Sequence, residues 1–239
     1  MEEKLYEFSD DEKACVIFQP KLPRYWFNYL WSEKGYCAQI SQNGHGRSYY
    51  LNEKADMCML NNNDARYVYI RDDETMQSWN VGAAPLNEEV EKFMCIHHLG
   101  YTELSSRVEQ IASSWCIYVP KDAYHEVWRI RIKNESRHTR KLSVFEATSF
   151  ELEGFSYPRY YENYRCMETR FDEALNGIYC SSDHPFAPHK RYNAFLASSE
   201  PVYAYDGDLA KFCGGVGTIT KLDASAYALF QRPDIVVKG

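Results

Sequence analysis

Two acidic pairs, two adjacent histidines, a glycine-rich run and two aromatic–basic runs are the parts of this sequence with chemical potential. Paired carboxyl groups can act as acid and base, or acid and nucleophile, on a glycosidic bond. Asp72–Asp73 and Glu151/Glu153 are the close pairs. On a strand, residues two apart share a face and adjacent ones oppose each other, so neither spacing builds a cleft by itself. The same alternation keeps His97 and His98 from chelating one metal, and the pair reads as one core and one surface histidine. Asn43-Gly44-His45-Gly46-Arg47-Ser48 is glycine-rich but lacks the Gly-Lys-Ser/Thr ending of a phosphate cradle. Its glycines suit a tight turn between strands. No G-x-S-x-G, H-E-x-x-H or dinucleotide fingerprint is present, so no complete catalytic set is legible.

What remains is aromatic. Arg24-Tyr25-Trp26-Phe27-Asn28-Tyr29 and Tyr157-Pro158-Arg159-Tyr160-Tyr161-Glu162-Asn163-Tyr164-Arg165 mix rings with Arg and Asn. Sugar C–H faces stack on rings while hydroxyls take directed hydrogen bonds, so such runs suit a carbohydrate site. They equally suit loop rings that close the ends of a sandwich, and the residues alone do not choose.

The elements that must position these residues read as strands. Glu126–Lys133 alternates, with Trp128, Ile130 and Ile132 on one side and Arg129, Arg131 and Lys133 on the other. Asn134–His138 reads as a turn, and Leu142–Phe150 as a return strand covered on both faces. Tyr67–Arg71 runs into the acidic turn Asp72-Asp73-Glu74, and Trp115–Val119 alternates up to Pro120. Two stretches carry helical signals: a capping-box pattern at Ser9 and Glu12, and Val90, Phe93, Met94 and His97 after Asn87-Glu88-Glu89. Helices of the length that parallel crossovers need are missing, so the pattern predicts an all-β, two-layer antiparallel sandwich.

Composition narrows the function. The chain has 239 residues and a net charge of −7, which argues against a nucleic-acid partner. The basic run Arg137–Lys141 is expected to be a solvated turn. Eight cysteines without a C-x-x-C pair argue against structural zinc and fit reduced thiols in a cytoplasm. The acidic start Met1-Glu2-Glu3-Lys4-Leu5 reads as neither signal peptide nor membrane span, and no membrane partner is expected. Aromatic residues make up 15% of the chain, which suits both strands and sugar-binding surfaces.

Read in order, these segments resemble glycoside hydrolase family 94, the cellobiose-phosphorylase-like enzymes. Pro23–Leu30 is similar to that family's P-x-P-W-x-N-Y-L segment, and Gly35–Tyr50 to its glycine-rich hairpin. Arg66-Tyr67-Val68-Tyr69-Ile70-Arg71-Asp72 followed by Trp79 resembles R-Y-x-Y-I-R-D…W. His98-Leu99-Gly100-Tyr101-Thr102 resembles H-G-L-G-Y-T, and Val119-Pro120, Glu126–Arg129, Asn134 and Arg140–Ser143 continue in the same order. The resemblance implies a galactose-mutarotase-like β-supersandwich, the N-terminal domain of an inverting phosphorylase. Such enzymes cleave β-linked di- or oligosaccharides to a sugar 1-phosphate. Inorganic phosphate is the co-substrate and no cofactor is expected. It also implies a homodimer, and a catalytic (α/α)6 barrel outside this sequence. Residues 1–239 are expected to stop before the last strands and to be inactive alone. The family's Gln-Arg pair falls on Tyr164-Arg165, so Arg165 is carried over as a sugar contact, with Tyr164 and Glu162 beside it; the Gln is absent here. His45 and Arg47 also depart from the family pattern. A stand-alone carbohydrate-binding module is the competing reading.

Overall fold

Alternating apolar and polar residues dominate this chain, and a period of two buries one side of a strand while leaving the other wet. The computed structural model describes residues 4–51, 57–83, 90–154, 166–183 and 192–207. Among them every regular element is a strand. One sheet holds β1 (Tyr6–Ser9), β2 (Ala14–Ile17), β8 (Glu91–His97), β9 (Tyr101–Val108), β10 (Ile111–Tyr118) and β11 (Val127–Asn134), in that order. The second runs β12 (Leu142–Gly154), β6 (Met57–Asp72), β5 (Ser48–Leu51), β4 (Tyr36–Ser41), β3 (Phe27–Trp31), with β7 (Ser78–Asn80) beside β6. A third sheet, β13 (Cys166–Asp172), β14 (Gly177–Asp183) and β15 (Tyr192–Ala197), touches β12 through β14 and β15. All pairings are antiparallel.

The inward residues of the two larger sheets meet in one core. Leu30, Tyr36, Ala38, Ile40, Val68, Ile70 and Trp79 come from one sheet, and Ile17, Phe93, Cys95, Leu104, Ile111, Trp115 and Ile117 from the other. Trp115 meets Trp128 edge-on, with ring centroids 5.2 Å apart. This is face-to-face sandwich packing, and the predicted sides of β11 hold: Trp128, Ile130 and Ile132 pack on the core while Arg129, Arg131 and Lys133 are exposed. β12 contacts the third sheet as well as β6, yet it ends the strand order of its own sheet among the described residues.

Neither helical expectation survives on the described residues. Ser9 does accept a hydrogen bond from the Glu12 amide at 3.3 Å, so the capping contact forms. Lys13 then adopts φ +49° and the chain returns as β2, which makes the contact part of a hairpin turn. The segment after Val90 is strand β8, with Phe93 and Cys95 buried in alternation. Its pairing to β2 and β9 overrides the helical spacing. Asn87-Glu88-Glu89 lies outside the described residues.

Turn chemistry fixes the register. Glu109 and Gln110 have φ of +48° and +64° and join β9 to β10 as a two-residue hairpin with both central residues left-handed. The glycine-rich run is the β4–β5 turn. Gly44, at φ +82°, lies so close to Trp115 that a Cβ there would sit 2.4 Å from its ring. Gly46, at φ +134°, would bring a Cβ to 1.9 Å from the Gln39 carbonyl oxygen. The turn therefore couples one sheet to the central tryptophan of the other. No helix of the described residues is long and apolar enough to cross a membrane.

Gly44→Ala adds both left-handed strain and a clash with a core ring. Urea unfolding of the chain should show a loss of about 2–4 kcal/mol; unchanged stability would mean that the turn and Trp115 are not tightly coupled.

Candidate functional site

The predicted sugar contacts Glu162, Tyr164 and Arg165 lie outside the described residues, as does the run Tyr157–Arg165 that contains them. The other sequence candidates have defined places, and most of them are structural. Asp72 is fully buried, accepts the amides of Glu74 and Thr75 at 2.8 and 3.1 Å, and pairs with Arg140. Burial pushes its carboxyl up, but those amides and the Arg140 charge outweigh it and hold the pKa below the usual range. Asp73 receives Arg71 and the Ser143 hydroxyl. This acidic pair closes the β6–β7 turn. Arg140 also reaches the Glu109 carbonyl at 3.2 Å, so the basic run 137–141 does more than face solvent. Asn134 uses its side-chain amide on the His138 carbonyl, at 2.7 Å, to close the β11–β12 loop.

The glycine-rich turn leads to the most consequential charges. Arg66 is fully buried on β6, on the same inward phase as Val68 and Ile70. Its Nε donates to Glu126 Oε1 at 2.5 Å and its Nη2 to Glu126 Oε2 at 3.0 Å, a two-pronged ion pair. Nη1 donates to the Gln39 and Gly46 carbonyls at 3.2 and 3.1 Å, and Nη2 to the Ser48 hydroxyl. Glu126 further accepts Tyr36 Oη at 3.1 Å, Ser48 Oγ at 2.9 Å and Trp128 Nε1 at 2.7 Å. Burial raises the Glu126 pKa, but the Arg66 charge and these donors overcome it and leave it below normal. The Tyr36 phenol moves the other way, pushed well up by burial and then by the Glu126 charge. A carboxylate satisfied on every side is a clamp, poorly suited to proton transfer. Sequence reading missed it because its partners are 60 positions apart.

His45 is 5% exposed and sits edge-on between Tyr25 and Tyr67, with centroids 5.8 and 5.4 Å away. It is a core ring of the turn. His97 and His98 are both half-buried, where one core and one surface ring were expected, and they differ in their partners. His97 Nε2 lies 3.0 Å from the Trp26 carbonyl, which can only accept, so Nε2 carries the proton. Nδ1, 3.0 Å from Thr102 Oγ1, is then the acceptor, and Asn28 Nδ2 donates to the same hydroxyl at 3.2 Å. Burial holds the His97 pKa at about 4. His98 stacks on Tyr101 at 4.2 Å.

From the aromatic run, Tyr25 and Tyr29 are exposed, as is Trp31 just beyond, while Trp26 packs on Tyr6 at 4.5 Å. Gln39 Nε2 donates to Tyr29 Oη at 3.1 Å, which ties one exposed ring to the sheet. The described residues hold no group of three or more His, Cys, Asp or Glu arranged for a metal ion. Cys15, Cys37, Cys95 and Cys116 are free thiols.

Every described strand after β1, the glycine turn and the Arg66-bearing strand included, falls within one matched region. The family model for the glycosyl hydrolase 94 supersandwich domain matches residues 13–229. The chain belongs to this family. It is similar to a 3-O-beta-D-glucopyranosyl-beta-D-glucuronide phosphorylase of Paenibacillus borealis, 32% identical over 195 residues, covering 74% of this chain and 25% of that protein. It is also similar to a solabiose phosphorylase of the same organism, 26% identical over 218 residues, covering 88% of this chain and 28% of that protein. An N,N'-diacetylchitobiose phosphorylase of Vibrio furnissii is 30% identical over 153 residues, covering 61% of this chain and 19% of that protein. The chain thus spans about a quarter of the length of the curated relatives it matches.

Because the folded pKa of His97 is depressed, its contribution is complete above the unfolded value of 6.5 and is lost as pH falls toward 4. Chemical denaturation across that window should show stability falling by up to about 3 kcal/mol. His97→Gln should flatten the slope between pH 6.5 and 4.5; an unchanged slope would assign it to another group.

Proposed function

We propose that this chain is the N-terminal supersandwich domain of an inverting glycoside phosphorylase, working on a β-linked disaccharide or short oligosaccharide. One observation carries the reading: the family match spans residues 13–229, and the relatives found are all named phosphorylases of two-sugar substrates. The chemistry of the described residues is compatible with it. Inorganic phosphate would be the nucleophile, so the reaction needs no protein base in this domain, and no cofactor enters. Asp72, Asp73 and Glu126 are committed to structural partners, so none of the three suits the role of proton-donating acid, which this reading assigns to the rest of a longer protein.

In this reading the domain acts as a shoulder. It pairs with a second copy as a homodimer, and Glu162, Tyr164 and Arg165 reach the sugar, with Arg165 as a donor to hydroxyls. The free thiols support a reducing, cytoplasmic location. The alternative, a stand-alone carbohydrate-binding module, is favoured by the exposed rings Tyr25, Tyr29 and Trp31.

Phosphate-dependent cleavage of cellobiose, laminaribiose and N,N'-diacetylchitobiose separates the two. The longer protein carrying this domain should release sugar 1-phosphate from at least one β-linked disaccharide, while residues 1–239 alone release none. Arg165→Ala in the longer protein should lower kcat/KM at least tenfold with the fold intact. Turnover by the isolated chain, or unchanged kinetics in Arg165→Ala, would contradict this assignment.

A further inference from the structure

The outer face of the six-stranded sheet carries a groove of about 280 Å³ lined by Gly100, Tyr101, Glu103, Cys116, Tyr118 and Arg129. Its lining follows from register. Tyr101 pairs directly with Tyr118, and Glu103 with Cys116, across β9 and β10. Cys116 pairs in turn with Arg129 across β10 and β11. The groove therefore has a thiol floor only 4% exposed, a carboxylate on one wall, a guanidinium on the other and two phenol rings at one end. With strands about 4.8 Å apart, the two charged walls stand roughly 10 Å from each other. They form no ion pair with each other; burial raises the Cys116 pKa, and the Arg129 charge works against that rise.

The end of the groove is held in place before any ligand arrives. Asn28 Nδ2 donates to the His98 and Tyr101 carbonyls at 2.7 and 3.2 Å, and the His98 amide closes the turn onto the Tyr101 carbonyl at 2.9 Å. His98 stacks on one face of Tyr101 and fixes its ring. A Cβ on Gly100 would meet nothing within 4 Å, so that side is open. Fixed rings beside convergent polar groups are the ingredients of a binding site that loses little entropy on occupation.

We infer that this groove binds a single neutral pyranose unit of a saccharide, with Tyr101 and Tyr118 stacking on the ring and Glu103 and Arg129 taking hydroxyls from opposite walls. The electrostatics select the class. Glu103 opposes an anion and Arg129 opposes a cation, while a polyol donates to one and accepts from the other. The volume selects the size, because it falls just below the range of about 300 Å³ at which drug-sized ligands begin to fit. The site is built wholly from residues 98–129 with Asn28 behind it, and it stands whether or not the phosphorylase reading does.

Amide NMR of the full chain titrated with D-glucose, cellobiose or N,N'-diacetylchitobiose tests it. Saturable millimolar shifts are expected at Gly100, Glu103 and Arg129, weakened at least tenfold by Tyr118→Ala and by Arg129→Ala. Arg129 is exposed, so its variant serves should Tyr118→Ala fail to fold. Silent amides at these positions, or equal affinity in the Arg129 variant, would overturn the inference. Phosphorolysis by the longer protein together with a silent groove sinks this inference alone. A saturable groove in a longer protein without phosphorolysis sinks the phosphorylase reading alone.

Discussion

The buried Arg66–Glu126 pair is the constraint on which the sandwich depends. A guanidinium and a carboxylate in a protein interior each lose several kcal/mol of hydration, and the pair survives only when every remaining donor and acceptor is met. Here both conditions hold. Arg66 comes from the long strand β6 of one sheet, and Glu126 stands immediately before β11 of the other. Tyr36, Ser48 and Trp128 supply the remaining donors to the carboxylate, and the Gln39 and Gly46 carbonyls accept from the guanidinium. One electrostatic joint thereby ties both sheets and the glycine-rich turn together. The turn is held a second time by the contact of Gly44 with Trp115.

That joint also explains why this face of the chain carries so little reactive chemistry. Glu126 is a largely buried acid opposite a base, the arrangement that often marks an active site. Its pKa is lowered where a general acid needs it raised, and all its neighbours are donors. Asp72 follows the same pattern at the last residue of β6, with Arg140 in the place of Arg66. Perturbed ionisation at both sites reports a structural role.

How far the sequence reveals this depends on the range of each interaction. Alternation along β11, the β6–β7 acidic turn and the β4–β5 glycine turn are local, and they are legible residue by residue. The segment at 90–97 is not, because Val90, Phe93, Met94 and His97 satisfy a helical period while Phe93 and Cys95 satisfy a strand period. Only the pairing with β2 and β9 decides between them. The Arg66–Glu126 pair is invisible locally, although one clue existed: Arg66 falls on the inward phase of Val68 and Ile70, where an unpartnered charge is untenable. The outer groove is hidden for a related reason, since its walls come from three strands and meet only through register. Membership of the family was legible from the ordered motifs, whereas Glu162, Tyr164 and Arg165 were carried by resemblance alone.

The most direct test of the central claim is the unfolding free energy of Glu126→Gln. If Glu126 is the clamp described above, losing its charge strands Arg66 in the core, and stability should fall by about 3–5 kcal/mol. Unchanged or increased stability would contradict the account.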